Sequence, residues 1–244
     1  MFYKELIETT AKYPVDKWNQ KPTDLSLSFY KRILKPCSEI VNVYKNTNGK
    51  FLLRGVNNPP KIDPPEEMDD FGKYSLVFRS NIRKDRRTIQ MSKKAHELYH
   101  KAFHEAGLTA TRRNSIFTSS DYNFAEPWGR VYIIFPYNGF QYTWFEKVKN
   151  DYPYHKLRFF YNSFFNSSRN YDIMISNNPL AQDKKYQIEF IEKAKDFIIN
   201  DLGGKNTDLE SAINQNQEVL ITGTKFVAFS IDLEKSLNKV IKLI

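Results

Sequence analysis

The chain has 244 residues, 41% hydrophobic and 27% charged, with 37 Lys and Arg against 28 Asp and Glu for a formal charge of +9. That size and balance are those of a soluble globular protein of one large domain, or one domain with a small appendage. One cysteine, Cys37, excludes an internal disulfide framework, and no apolar run approaches the roughly 20 residues of a membrane span.

The N-terminus Met1-Phe2-Tyr3-Lys4-Glu5 lacks a basic region followed by an apolar core, so a cytoplasmic protein is expected. Aromatic residues make up 15% of the chain, with 15 Tyr and 19 Phe. Many rings are therefore expected to be partly exposed, free to stack on bases or to carry an interface. Charge is concentrated between Arg79 and Arg113, where 10 basic residues face 3 acidic ones, a net +7. Such a stretch attracts phosphate-bearing partners, a dinucleotide or a nucleic-acid backbone, although a solvated basic face would look the same.

In chain order, residues 1–48 read as a helical N-terminal lid or brace, with apolar residues at helical spacing broken by Pro14, Pro22 and Pro36. The run Lys50-Phe51-Leu52-Leu53-Arg54-Gly55-Val56 predicts a short strand interrupted by one arginine, a charge that is costly there unless paired or facing a wet cleft. Residues 57–70, with 4 prolines and 5 acids, predict a loop. Ser75-Leu76-Val77-Phe78-Arg79 follows as a further strand. Ser92 is placed to cap a helix over residues 93–106, closed by Gly107.

That helix contains His96-Glu97-Leu98-Tyr99-His100, formally the pattern that offers two imidazoles to zinc with Glu97 as general base. No third ligand is evident, so solvent-facing histidines on an amphipathic helix are the preferred reading.

Asn114-Ser115-Ile116-Phe117-Thr118-Ser119-Ser120-Asp121 predicts a strand breaking into a hydroxyl-rich turn, with a short helical turn over residues 124–129. Residues 130–136 and 140–145 are expected to form a hairpin around Tyr137-Asn138-Gly139. Residues 152–171 read as loop with a short helix, and residues 184–202 as an amphipathic helix closed by Gly203-Gly204. One helical turn at 208–213 precedes the amide-rich loop Asn214-Gln215-Asn216-Gln217. Glu218 then opens the apolar strand Val219-Leu220-Ile221, expected to pair with the apolar run after Thr222-Gly223-Thr224. The tail from Leu233 is expected to be helical. The fold class is thus α+β, without the glycine-rich phosphate motifs of Rossmann or P-loop proteins.

Leu53-Arg54-Gly55, Phe117-Thr118-Ser119-Ser120 and Gln217-Glu218-Val219-Leu220-Ile221 together resemble the mono-ADP-ribosyltransferases of the arginine–serine–glutamate class, especially compact phage- and bacteria-associated members. The resemblance covers residues 50–232, and its most specific part is residues 117–120 with Ala125, Trp128-Gly129 and residues 131–136 behind them. It implies a split pair of small β-sheets over residues 49–244 with NAD in the cleft between them. Arg54 would then bind an NAD phosphate or ribose, as its bidentate fork suits. Thr118, where the family has its first serine, would hold the nicotinamide ribose and orient the catalytic Glu218. Gly55, Ser119, Ser120 and Trp128 would line the NAD site. Glu218 would bond the ribose 2′-hydroxyl and face the charge that grows as nicotinamide leaves.

Arginine-modifying members carry a second glutamate two residues before the catalytic one; here Asn216 stands there, which cannot serve as a base. Asn216 and Gln217 are therefore expected to contact the acceptor. With the basic stretch and the rings, this favours nucleic acid, single-stranded RNA, narrowly over protein. A toxin-like member would also have a neutralising antitoxin partner. Zinc peptidase and non-catalytic nucleic-acid-binding protein are the alternatives.

Overall fold

The computed structural model describes residues 27–57, 76–85, 92–149, 152–165 and 179–244. The first 26 residues of the expected lid, the acidic proline-rich loop beyond Asn57, and Arg86 and Arg87 of the basic stretch lie outside them.

Eight strands are formed: β1 (Leu53–Val56), β2 (Val77–Asn81), β3 (Ile116–Ser119), β4 (Arg130–Pro136), β5 (Gln141–Phe145), β6 (Gly204–Lys205), β7 (Glu218–Thr222) and β8 (Lys225–Ser230). They build one open antiparallel sheet in the order β2-β8-β4-β1-β3-β7-β5-β6. The helices are α1 (Leu27–Leu34), α2 (Ser38–Asn46), α3 (Lys93–Glu105), α4 (Tyr122–Ala125), α5 (Tyr152–Phe164), α6 (Pro179–Gln182), α7 (Lys184–Asp196), α8 (Leu209–Asn214) and α9 (Glu234–Ile241). The fold is mixed α+β.

Both expected hairpins are absent. β4 pairs with β1 and β8, while β5 pairs with β7 and β6. Residues 131–136 are buried without interruption, as befits a strand with neighbours on both edges and cover on both faces. The Asn138-Gly139 pair is used elsewhere: Asn138 Oδ1 accepts from the Glu39 N–H (3.0 Å), and the Gly139 N–H donates to Glu39 Oε2 (3.0 Å), so the turn is pinned to the start of α2. Likewise β7 pairs with β3 and β5, and β8 with β2 and β4. Two short connections, 136–141 and 222–225, therefore join strands four places apart in the order, and three peptide units reach only about 11 Å against about 19 Å for four strand spacings, so the sheet is strongly bent.

Two apolar clusters pack on this sheet, the first against both faces of β4 and β8. One gathers Tyr30, Ile33, Leu34, Ile40, Val41 and Tyr44 of the N-terminal helices, α8 and α9 residues, and the interior of β4 and β8. Tyr44 stitches it together: its hydroxyl donates to the Ile134 carbonyl (2.6 Å) and accepts from the Leu52 N–H (3.2 Å). Residues 27–46 thus share the main core. The second cluster packs α3, α5 and α7 around Phe190, with Phe145 and Leu220 from the sheet.

α5 spans 13 residues where mostly loop was expected. Its Tyr154, Leu157 and Tyr161, continued by Phe165, recur at helical spacing and are all buried. The rings are mainly core: Tyr99, Tyr161 and Phe165 each lie within 5.2–5.4 Å of Phe190. Among the described residues Tyr122, Trp128, Phe159 and Tyr186 are exposed aromatic side chains, and others, such as Phe29, Tyr137, Phe140 and Tyr142, are half-buried. No helix among the described residues is long and apolar enough to cross a membrane.

Candidate active site

β1 and β3 meet through one residue pair, Leu53↔Ser119, whereas β3 and β7 share four, from Ile116↔Ile221 to Ser119↔Glu218. At this seam Arg54, Ser119 and Glu218 come from three consecutive strands of the sheet. Arg54 follows the bridging Leu53, and its Nη1 donates to the Phe117 carbonyl on β3 at 3.1 Å. Among the described residues it makes no ion pair, and that bond takes one of its five N–H donors. Burial lowers its pKa to about 10, so the guanidinium remains charged at neutral pH.

Glu218 reaches the seam because α8 is stopped just before it. Asp208 caps α8, accepting from the Ser211 N–H (3.2 Å). Asn216 then takes a left-handed backbone, φ +58°, which asparagine tolerates better than most residues. The Gln217 N–H closes back on the Ala212 carbonyl (2.9 Å) and turns the chain into β7.

Asn216 is committed to this turn. Its Oδ1 accepts from Lys50 Nζ (3.1 Å) and Ser120 Oγ (3.0 Å), and its carbonyl accepts from Ser119 Oγ (3.2 Å). Ser120 Oγ also bonds the Ile213 carbonyl. Gln217 is buried, and its Oε1 lacks a hydrogen-bond partner. Asn216 is exposed, with its Oδ1 committed to the loop that carries Glu218, whereas Gln217 is buried.

The two hydroxyls of β3 part company. Side chains alternate along a strand, and register partners share a face. Ser119 therefore lies on the Glu218 face, the side on which Phe117 and Leu220 pack against α3, α5 and α7. Thr118 pairs with Val219 on the opposite face, and its Oγ1 donates to the Val219 carbonyl at 2.9 Å. Ser119, and not Thr118, is thus the hydroxyl that shares a face with Glu218. Ser119 and Glu218 are both buried.

Gly55 has a packing role. A Cβ there would lie 2.0 Å from the Ala125 carbonyl and 2.8 Å from Trp128 Cβ, so the glycine lets the turn after β3 close over β1. Trp128 and Tyr122, both exposed, are carried by this turn beside the seam.

One residue that sequence reasoning left among the basic residues joins the site. Arg112 Nη1 lies 3.8 Å from Glu218 Oε1, and its guanidinium packs over the Phe117 ring at 4.5 Å and the Tyr154 ring at 4.7 Å. The signal was weak because Tyr154 belongs to the helix that was read as loop.

The histidines of α3 are not solvent-facing as a set. His96 is buried, and burial followed by Arg112, Arg113 and His100 lowers its pKa to about 4. His100 Nδ1 is 2.9 Å from Thr111 Oγ1. With Arg112 and Arg113 lining the same small pocket, the surroundings repel a cation, and no group of three or more His, Cys, Asp or Glu suited to a metal exists among the described residues. No protein-family model, no curated protein and no solved structure matches the chain.

Proposed function

We propose that the chain is an NAD-dependent mono-ADP-ribosyltransferase with Arg54, Ser119 and Glu218 as its working residues. The observation that carries this is that an arginine without an acidic partner among the described residues, a hydroxyl and a buried carboxylate stand on three neighbouring strands, β1, β3 and β7, with the arginine side chain reaching the backbone of β3 at Phe117. These are the chemical types a dinucleotide needs. A guanidinium with N–H groups to spare binds pyrophosphate oxygens. A carboxylate accepts the ribose 2′-hydroxyl and stabilises positive charge developing at the anomeric carbon more than it stabilises the ground state. Ser119 shares a face with Glu218, and its Oγ donates to the Asn216 carbonyl, so it would orient the carboxylate through the loop that carries it. The narrow β1–β3 junction supports a cleft between two groups of four strands as the NAD site. In the reaction the glycosidic C–N bond breaks, nicotinamide leaves neutral with the bonding pair, and the acceptor's nucleophile takes its place.

For the acceptor, nucleic acid is favoured over protein. Support comes from the exposed basic residues Arg79, Arg83, Lys84, Lys93 and Lys101 and from Tyr122 and Trp128 beside the seam, where bases could stack. The deciding experiment incubates purified protein with NAD labelled on the adenylate and a cell extract, then digests the product with ribonuclease or protease. Label removed by ribonuclease and absent with Glu218→Gln is the expected result, with nicotinamide release lowered about 10²- to 10³-fold. Release that is absent from well-folded native protein, or equal in the variant, would overturn the assignment and leave a non-catalytic nucleic-acid-binding protein to be tested by binding alone.

A further inference from the structure

Glu218 is 4% exposed, and a carboxyl so placed is driven toward its neutral form unless a cation compensates. Neutral, it could neither accept strongly from a ribose hydroxyl nor oppose growing positive charge. The compensating cation comes from Arg112, in the turn between α3 and β3, at 3.8 Å. Arg112 is in turn held on the faces of Phe117 from β3 and Tyr154 from α5, at 4.5 and 4.7 Å. A planar guanidinium can stack on rings and direct an N–H at a carboxylate at once; a lysine ammonium cannot do both.

We propose that Arg112 is the positioning residue of Glu218: clamped by Phe117 and Tyr154, it holds a positive charge beside Oε1 and keeps the carboxylate ionised. This rests on Glu218 being the acid of the transfer reaction. Arg112 itself need not touch NAD. Other titratable or charged groups in this region, among the described residues, include His96, Glu97 and His100 of α3, Arg113 beside Arg112, Tyr154 and Arg158 of α5, and Arg54 of β1 at the Phe117 carbonyl.

The test titrates the Glu218 carboxyl directly, by NMR of full-length protein carrying glutamate labelled with carbon-13 at Cδ, the signal being assigned by its loss in Glu218→Gln. Arg112→Gln is expected to move that titration up by about one pH unit, and Arg112→Lys to restore part of the difference. Nicotinamide release should then fall in Arg112→Gln mainly at acid pH and recover as pH rises. Superimposable titrations, or a loss of rate equal at every pH, would overturn the proposal. If Arg112→Gln does not fold, Tyr154→Leu, which keeps the arginine but removes one ring, should shift the titration in the same direction by less; no shift there overturns it as well. A native chain that releases no nicotinamide sinks the transferase reading, while the carboxyl titration still judges the pairing.

Discussion

Ser119 and Thr118 are neighbours in the chain yet belong to opposite faces of the sheet, and only one of them shares a face with Glu218. Their substitutions should separate cleanly. Ser119→Ala is expected to lower nicotinamide release about tenfold or more, and also to cost about 1 kcal/mol because the Asn216 carbonyl loses its donor. Thr118→Val should leave the rate near native and cost about 1 kcal/mol of stability, read by chemical denaturation, because the Val219 carbonyl loses a buried donor. Sequence supplied the residue types but not the phase, since a strand's period of two makes a one-residue uncertainty a change of face. His96 offers a second residue-scale test. Its pKa is about 4 when folded against an ordinary 6.5, so the unfolded chain binds the proton first. Stability should therefore fall as pH drops from 6.5 towards 4, by at most about 3 kcal/mol, and His96→Leu should flatten that slope in denaturation series at several pH values.

Elements were legible where one segment carried its own signal. α3 starts at the expected Ser92 cap, whose Oγ accepts from the Ala95 N–H (3.1 Å), and Gly203 ends the α7 region with φ +68°. Pairing was not legible. Tyr137-Asn138-Gly139 has good hairpin chemistry, but its donors and acceptors serve Glu39, a partner far away in sequence. α5 is hard to read in sequence because buried and exposed rings are interspersed along it: Tyr154, Tyr161 and Phe165 are buried with Leu157, while Phe159 is exposed. Gly55 gives the element-scale prediction. Gly55→Ala would push β1 and the turn at residues 125–128 apart, since the new methyl meets backbone that cannot rotate away. Destabilisation of about 2–3 kcal/mol is expected by denaturant titration, with loss of NAD turnover through displacement of Arg54. An unchanged midpoint would mean that the turn yields freely.

At the scale of the whole molecule, the sheet is narrowest where the proposed chemistry lies. β1 and β3 share one pair, whereas β4 and β8 share five. Ligand entering there should tie the two groups of strands together. NAD is therefore expected to slow amide hydrogen exchange at residues 52–56 and 116–120 while leaving β2 and β6 at the outer edges unchanged; protection spread evenly over all strands would place the ligand elsewhere. The strand order also has a consequence for dissection. Taken along the chain, β1 and β2 lie on one side of the seam, β3 on the other, β4 back on the first, β5 to β7 on the second, and β8 on the first again. No single scission of the polypeptide separates the two sides. Any cut between β1 and β8 divides at least one half between the two fragments, so fragments made by limited proteolysis or gene truncation should fail to fold alone, and the seam can open only as a hinge within one cooperative body.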